Sequence, residues 1–154
     1  MGIVPSLLVH RVAGLPSGFE ELAADALADG QRLLEVLRED WESGAVRFDG
    51  AGEALFVAVA GGALVGIGGL TRDPYLADDR AGRVRRLYVR RASRRHGVGG
   101  ALVGAIAAAA AAAGWPRLRV RAPAAAFAFY EARGFLRAVG ETAASHVMVL
   151  DGPR

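Results

Sequence analysis

The N-terminal part of the chain contains one short apolar run followed by two segments with helical periodicity. The run Leu7 to Arg11 predicts a first strand. Between Phe19 and Leu27, apolar side chains recur every three or four residues, which predicts an amphipathic helix with Ser17 as its N-cap. The same spacing returns in Gln31 to Trp41, after Gly30 has broken the pattern. This part of the chain is therefore predicted to be strand, helix, helix.

The pattern then changes to that of paired strands. Two β-type runs, Ala54 to Ala60 and Ala63 to Thr71, flank Gly61-Gly62, a dipeptide typical of a hairpin turn. A polar loop, Asp73 to Gly82, precedes a further apolar strand at Val84 to Val89. Hairpins of this kind imply antiparallel pairing.

The remainder of the chain alternates helices and strands. The alanine-rich segment Gly97 to Ala113 predicts a long helix that stops at Gly114. The other predicted elements are a strand at Leu118 to Arg121, a helix at Ala124 to Arg133, and strands at Phe135 to Val139 and His146 to Leu150. The order β-α-α-β-β-β-α-β-α-β-β predicts one α+β domain over residues 1–154, with a mixed, mostly antiparallel sheet of about six or seven strands and helices on both faces.

Composition limits the function classes. With 154 residues, 53% hydrophobic and 23% charged, the chain suits one globular domain. No apolar stretch is long enough to span a membrane and no secretory signal is visible, so we expect a cytoplasmic protein without a membrane partner. Residues 1–6 fit the loose myristoylation pattern M-G-x-x-x-S/T, which is too short to predict lipidation. The lack of cysteine and the three scattered histidines exclude a thiolate nucleophile and predict no metal site.

Charge is distributed unevenly along the chain. All 19 basic residues are arginine, as is typical of a GC-rich bacterial genome. Residues 1–79 hold 5 arginines and 13 acids, a net charge of −8, whereas residues 80–154 hold 14 arginines and 3 acids, a net charge of +11. This polarity suggests that the C-terminal half faces a polyanion.

The segment 83–103 carries the chemistry. Glycines in the run 97–100 open the long helix, where free N–H groups and the helix dipole make an anion site. Arg94 and Arg95 add guanidinium donors suited to phosphate. Residues 94–100 are therefore predicted to bind a pyrophosphate.

Other interpretations of this segment are weaker. The Rossmann motif G-x-G-x-x-G and the Walker motif G-x-x-x-x-G-K-S/T are both absent. A glycine-rich helix start beside a solvated arginine face is the structural alternative. Nucleic-acid binding by the seven arginines of residues 83–95 is another, which we do not expect because Tyr88 is the segment's one stacking aromatic.

Two motifs carry a family resemblance. The sequence Arg94-Arg95-His96-Gly97-Val98-Gly99 resembles the R/Q-x-x-G-x-G/A signature of the GNAT superfamily of N-acyltransferases, and Leu87-Tyr88-Val89 resembles the strand before it. The segment Ala126 to Phe135 resembles the family's A-x-x-F-Y-x-x-x-G-F segment. The order of elements also fits, so the resemblance covers nearly the whole chain and implies the GNAT fold.

The resemblance implies that the chain transfers the acetyl group of acetyl-CoA, without a metal, to an amine. Leu87 and Val89 are expected to pair with the pantetheine through their main chains, and an N–H near Val89 to polarise the thioester carbonyl. Tyr130 is expected to protonate the departing thiolate. The expected coenzyme-binding residues are Leu87, Tyr88, Val89, Arg94, Arg95, His96, Gly97, Val98, Gly99, Gly100, Tyr130 and Arg133.

The chain departs from the family pattern twice. Arg83 stands where relatives with a glutamate base have that residue, and arginine cannot accept a proton. Pro123 stands where many relatives have an asparagine that contacts the coenzyme. The base therefore stays open; the candidates are a water chain and the side chains of Glu39, Glu42, Asp78, Asp79 and His146.

The resemblance places the acceptor beside the first two helices and the loop before the central strand. Trp41, Tyr75, Asp78 and Asp79 in these regions predict an acidic, aromatic pocket for a cationic amine, on a small molecule or a peptide. Because there is no cysteine, direct attack in a ternary complex is expected rather than an acyl-enzyme. The alternative is a non-catalytic acyl-CoA-binding module, which Arg83 favours. We expect a monomer or a homodimer.

Overall fold

The computed structural model describes residues 6–78 and 80–151. Asp79 and most of the lipidation pattern at residues 1–6 therefore lie outside the described residues. The strands are β1 (Leu7–Val12), β2 (Ala54–Ala60), β3 (Ala63–Arg72), β4 (Ala81–Val89), β5 (Arg117–Val120), β6 (Leu136–Arg137) and β7 (His146–Val149). The helices are α1 (Phe19–Ala28), α2 (Leu33–Ser43), α3 (Val98–Ala112) and α4 (Phe127–Ala132), with short 3₁₀ turns at Arg91–Ser93 and Ala124–Ala126.

All seven described strands form one sheet in the order β1-β2-β3-β4-β5-β7-β6. Every neighbouring pair is antiparallel except β4 and β5, which are parallel and joined through α3. The hairpin between β2 and β3 turns at Gly61 and Gly62, whose φ values of 58° and 79° lie in the left-handed region that this turn needs. The mixed, mostly antiparallel α+β architecture predicted from the sequence is confirmed.

Helices cover both faces of the sheet because side chains alternate along the strands. Leu55 and Val57 of β2 pack against α1 and α2, together with Ile67 and Tyr88. Ala58, the alternate residue, packs against α3 on the other face. Tyr130 of α4 lies in the same apolar cluster as Val103 and Ile106 of α3. The helices therefore form one layer from α1 and α2 and a second layer from α3 and α4.

Several helix boundaries in the structure differ from those predicted from the sequence. Ser17 does not cap α1; the N-cap is Gly18 at a φ of 85°, without a side-chain cap, so that prediction is wrong. The helix α2 begins at Leu33 rather than Gln31, because the Gln31 N–H extends the end of α1 by donating to the Ala26 carbonyl. Residues 124–126 form a 3₁₀ turn before α4. None of the described helices has the length and apolar character needed to cross a bilayer.

Candidate functional site

The parallel strands β4 and β5 pair over a short distance and then separate. Residues Ala81–Arg83 pair with Arg117–Arg119, after which β4 continues for six residues and β5 for one. The edge of β4 that faces β5 thus has no strand partner over residues 84–89. A cleft of about 760 Å³ occupies the gap. Backbone groups along such an edge can pair with an extended ligand.

A β-bulge lies in the part of β4 that borders the cleft. Ile67 pairs with Tyr88, and Gly69 pairs with Arg85. One residue thus separates the paired positions on β3, whereas two residues separate them on β4. The extra residue, Arg86, has a φ of 52°. A bulge re-aims the side chains beside it. The Arg86 guanidinium thereby reaches the Asp40 carboxylate on α2, at an Nη2–Oδ2 distance of 3.6 Å.

The start of α3 forms one end of the cleft. Gly97 is its N-cap at a φ of 80°, no side chain caps the helix, and no acidic residue lies in the first turn. The amides of the first turn are left without intrahelical acceptors and point at the cleft. Free amides of this kind, together with the helix dipole, can bind an anion.

Close packing between α3 and α4 shapes this end. A Cβ added to Gly99 would lie 2.9 Å from the Phe129 ring, and one added to Gly100 would lie 2.8 Å from Nε of Arg133. The Arg133 guanidinium also stacks on Phe129, 4.7 Å from the ring centroid. The two glycines thus allow Arg133 to approach the α3 amides, so a cation reinforces the anion site.

Arg94 is held by contacts within the protein. Its Nη2 donates to Asp29, the C-cap of α1, over 2.8 Å, and its Nε donates to the Val89 carbonyl over 3.2 Å. The Tyr88 ring lies beneath it, and the Tyr88 hydroxyl donates to Asp25 over 2.5 Å. Burial and then the bond to Asp25 raise the pKa of Tyr88. Because its side chain packs against α1, Tyr88 reaches the cleft through its main chain.

Tyr130 lies in the wall of the cleft, with 5% of its surface exposed. Its ring packs edge-to-face against Phe129 and Phe135, at centroid distances of 5.0 and 5.3 Å. No group among residues 6–78 and 80–151 forms a hydrogen bond with its hydroxyl. Burial raises the pKa of Tyr130, so the hydroxyl stays protonated at neutral pH and available as a donor.

The cleft brings together most residues predicted to bind the coenzyme. It is lined by Leu87, Tyr88, Val89, Arg94, Arg95, Gly97, Val98, Gly99, Gly100, Tyr130 and Arg133. His96 is not in the lining; it is exposed, with Nδ1 3.3 Å from the Ser93 carbonyl. The coenzyme contacts themselves stay predictions.

Sequence reasoning missed a second set of lining residues. These come from the start of α2 and the turn before it, the middle of β4, and the stretch from the end of β5 into α4: Gln31, Leu33, Val84, Arg86, Val120, Arg121, Ala122, Pro123, Ala125, Ala126 and Phe129. Pro123 stands out in the sequence as a departure from the family, and Ala126 and Phe129 belong to the segment that resembles it, but none of the three was predicted to line the site. No local pattern marks the others, because the fold alone brings β5 and α2 to the same gap.

The residues predicted for the acceptor do not line this cleft. Trp41 packs against the apolar core that the sheet forms with α1 and α2. The Tyr75 ring stacks on the Arg83 guanidinium, whose carbon lies 4.6 Å from the ring centroid. Asp78 is exposed and accepts the N–H of Arg80. Asp79 lies outside the described residues. The expected acceptor pocket therefore stays a prediction that this cleft does not support.

None of the acids and histidines that the structure describes lines the cleft. Glu39 and Glu42 are exposed on α2. His146 is fully buried, with Nε2 2.7 Å from Glu131 and Nδ1 2.9 Å from the Ser145 hydroxyl. The described part of the chain thus places no candidate base within the cleft, and it holds no cluster of three potential metal ligands.

Arg83, at the position of the family's glutamate, belongs to a buried ion network. Its Nη1 lies 3.3 Å from Asp73, whose same oxygen accepts Nη1 of Arg119 over 2.7 Å. Asp73 and Arg119 have no exposed surface. This position is therefore occupied by a structural ion pair.

A mixed sheet that splays between two parallel strands, beside an uncapped helix start, is the architecture of the acyl-CoA-dependent acyltransferases. Residues 51–137, more than half of the chain, match the family model of the GNAT acetyltransferase domain. The chain belongs to the GNAT acetyltransferase family.

Solved structures agree with this placement. A protein from Exiguobacterium sp. 255-15 assigned as an acetyltransferase is 28% identical, with a TM-score of 0.82 over 94% of this chain and 93% of its own. A GNAT acetyltransferase from Staphylococcus aureus Mu50 shares the fold at 15% identity, with a TM-score of 0.70 over 94% and 100%. Glucosamine-6-phosphate N-acetyltransferase from Arabidopsis thaliana shares it at 13% identity, with a TM-score of 0.63 over 89% and 96%. No curated protein sequence matches the chain.

Proposed function

We propose that this protein transfers the acetyl group of acetyl-CoA to a primary amine by direct attack in a ternary complex. The observation that carries the proposal is the single cleft that joins the uncapped start of α3, the unpaired edge of β4 and the Tyr130 hydroxyl. These three features supply a diphosphate site, a strand for the pantetheine amides and a proton donor.

Charge in the cleft supports binding of the donor. Arg95 and Arg133 line it, and neither has an acidic partner among residues 6–78 and 80–151. Their guanidinium groups and the amides of Val98, Gly99 and Gly100 would share the diphosphate of the coenzyme. The pantetheine would extend along residues 84–89, adding a strand to the open edge.

In the proposed reaction the amine nitrogen attacks the thioester carbonyl carbon, and the C–S bond breaks. A main-chain N–H near Val89 would stabilise the negative charge on the carbonyl oxygen, an interaction worth about 2.7–4 kcal/mol in other enzymes. The thiolate would take the Tyr130 proton, and the proton lost by the amine would return to Tyr130 through solvent. The products are an N-acetyl amine and free CoA.

The base remains solvent in this proposal, since the described lining contains no carboxylate or imidazole. An amine with a pKa near 10 must then react in its neutral form. The rate at constant amine concentration should therefore rise with pH towards the pKa of the amine. The same observation favours the alternative, a module that binds acyl-CoA without turning it over.

Two measurements separate these functions. Calorimetric titration with CoA and acetyl-CoA tests the site, and release of free thiol tests catalysis over a panel of amino acids, polyamines, aminoglycosides and peptides. Amine-dependent thiol release supports the transferase. Saturable binding with no release for any amine supports the binding module, and no binding of either ligand contradicts both.

A further inference from the structure

Three arginines of β4 lie on the face of the sheet that α2 covers. Arg83 pairs in register with Thr71, and Arg85 pairs with Gly69, whose missing side chain would point at Phe48 beneath α2. The bulge after Arg85 turns Arg86 towards the same face, where it meets Asp40 of α2. Two consecutive guanidinium groups therefore lie on one side of the strand, which regular alternation would prevent.

Arg85 is the unusual member of this group. Its side chain is partly buried, and its one hydrogen bond within residues 6–78 and 80–151 joins Nη1 to the Thr71 hydroxyl over 3.2 Å. Burial, and then the neighbouring Arg86 and Arg83, lower the pKa of Arg85, although a guanidinium in a protein remains protonated. A desolvated cation among like charges is unfavourable until an anion reaches it.

The nearby carboxylates are already engaged. Asp73 is shared by Arg83 and Arg119, and Asp40 lies against Arg86. Among the described residues, Arg85 therefore forms no ion pair of its own, and it shares the negative charge of Asp40 with Arg86.

One of these arginines, Arg86, lines the cleft. Tyr130 lines it from the α3 and α4 side of the sheet, whereas Gln31 and Leu33 line it from the α1 and α2 side. It thus passes through the gap between β4 and β5. Arg86 is part of the lining on the second side, whereas Arg85, the preceding residue on the same face of the sheet, lies next to the lining without being part of it. Since the start of α3 is proposed to hold the donor, this second opening is left for the acceptor.

We propose that the acceptor amine also carries an anionic group, a carboxylate or a phosphate, which Arg85 and Arg86 bind. The proposal rests on the acetyl transfer proposed above and gives that site its substrate class. It replaces the expectation of a cationic acceptor. Arginine suits this role because its planar fork binds two oxygens of a carboxylate or phosphate at once.

Matched acceptors test the proposal on the unmodified protein. Alanine is compared with alaninamide, and phosphoethanolamine with ethanolamine. For each acceptor, kcat/KM for CoA release is calculated from the concentration of its unprotonated amine. We expect the anionic member of at least one pair to be preferred by about tenfold or more, the range of a hydrogen bond to a charged group. Which pair shows the preference distinguishes a carboxylate from a phosphate.

The variant Arg85→Gln then tests the assignment. It should remove most of the preference for the anionic acceptor. For the matched acceptor that lacks the anionic group, kcat/KM should change less than about twofold. Arg11→Gln, the same change at the far edge of the sheet on β1, should leave the preference intact. Calorimetric affinity for acetyl-CoA verifies that each variant is folded.

The outcomes are distinguishable. If the unmodified protein turns over alaninamide and ethanolamine as well as or better than their anionic counterparts, the proposal of an anionic acceptor is wrong. The proposed acetyl transfer is unaffected by that result. A preference that survives in Arg85→Gln overturns the role of Arg85. If neither these nor any other amines release thiol, the proposed function fails and this inference fails with it.

Discussion

The guanidinium of Arg94 and the carboxylate of Asp29 join the turn before α3 to the end of α1, with Nη2 and Oδ2 2.8 Å apart. The pair is separated by 65 positions in the sequence. The hydrogen bond from Arg94 is the main cause that lowers the pKa of Asp29, so this carboxylate is ionised at neutral pH. A fixed anion therefore lies beside the site proposed for the coenzyme diphosphate, where it competes for the same cation.

Asp29→Asn should strengthen the binding of CoA. Removing the carboxylate charge lowers the repulsion towards the diphosphate and leaves Arg94 free to bind it, so we expect the calorimetric Kd to fall a few-fold at low salt. Glu20→Gln is the matched control, because Glu20 lies in the first turn of α1, at the opposite end from Asp29, and pairs with Arg38. A Kd that rises in Asp29→Asn would show instead that Asp29 holds Arg94 in its binding position.

Two glycines of α3 should respond in opposite ways to substitution. Gly99→Glu should abolish CoA binding, because its Cβ would overlap the Phe129 ring and its charge would enter the anion site. A methyl group added at Gly104 would meet no atom within 4 Å, so Gly104→Ala should stabilise the protein by about 0.5–1 kcal/mol.

Denaturant unfolding and calorimetry check both glycine variants. Gly104→Ala serves as the control for Gly99→Glu, since it adds a side chain to the same helix away from the cleft and should leave the affinity unchanged. Retained CoA binding in a folded Gly99→Glu protein would contradict the location of the diphosphate site.

Tyr130→Phe should lower kcat more than it raises the KM for acetyl-CoA. The hydroxyl lies in an apolar wall and has no hydrogen-bond partner among residues 6–78 and 80–151, so its loss removes a proton donor and little packing. The expected loss is about tenfold, below the usual range for acid catalysis, because a thiol of pKa near 8.5 leaves without full assistance. Steady-state kinetics measure it, with the calorimetric Kd for CoA as the test of an intact site; an unchanged kcat would exclude the acid role.

The contact between Glu131 and His146 should make stability depend on pH in the acid range. The hydrogen bond from His146, followed by that from Arg137, lowers the pKa of Glu131. A carboxylate with a lowered folded-state pKa contributes stability that is complete above its ordinary pKa, near 4.5, and is lost as the pH falls through the folded value. Glu131→Gln should therefore lower Tm at pH 7, and the difference from the unmodified protein should shrink towards about pH 3.

Thermal melts of Glu131→Gln across this range give the comparison. Glu39→Gln, at an exposed position on α2, is the control and should change Tm little at any pH. A deficit in Glu131→Gln that stays constant down to pH 3 would contradict the contribution of the ionised carboxylate.

Local patterns were sufficient for the order of elements. The spacing of apolar residues placed α1 and α2, and Gly61-Gly62 placed the first hairpin, because periodicity and turn chemistry act over a few neighbouring residues. The uncapped helix start at 97–100 was predictable for the same reason, as a helix start needs little beyond its own backbone. That it binds an anion stays a prediction. Helix caps were less predictable. Serine is a preferred N-cap residue, but the N-cap of α1 is Gly18 and not Ser17.

Ion pairs and cleft-lining contacts between residues that are far apart in the sequence were not predictable. Asp78 looked available for an amine, but it lies outside the cleft. Several acids of the first half instead pair with arginines of the second, as Asp73 does with Arg119 across 46 positions. The separation of β4 from β5 and the approach of the start of α2 to the cleft follow from strand order. The position of Arg85 and Arg86 on one face of the sheet follows from a bulge. Pairing of this kind depends on distance in space and on burial, which neighbouring residues in a sequence do not encode.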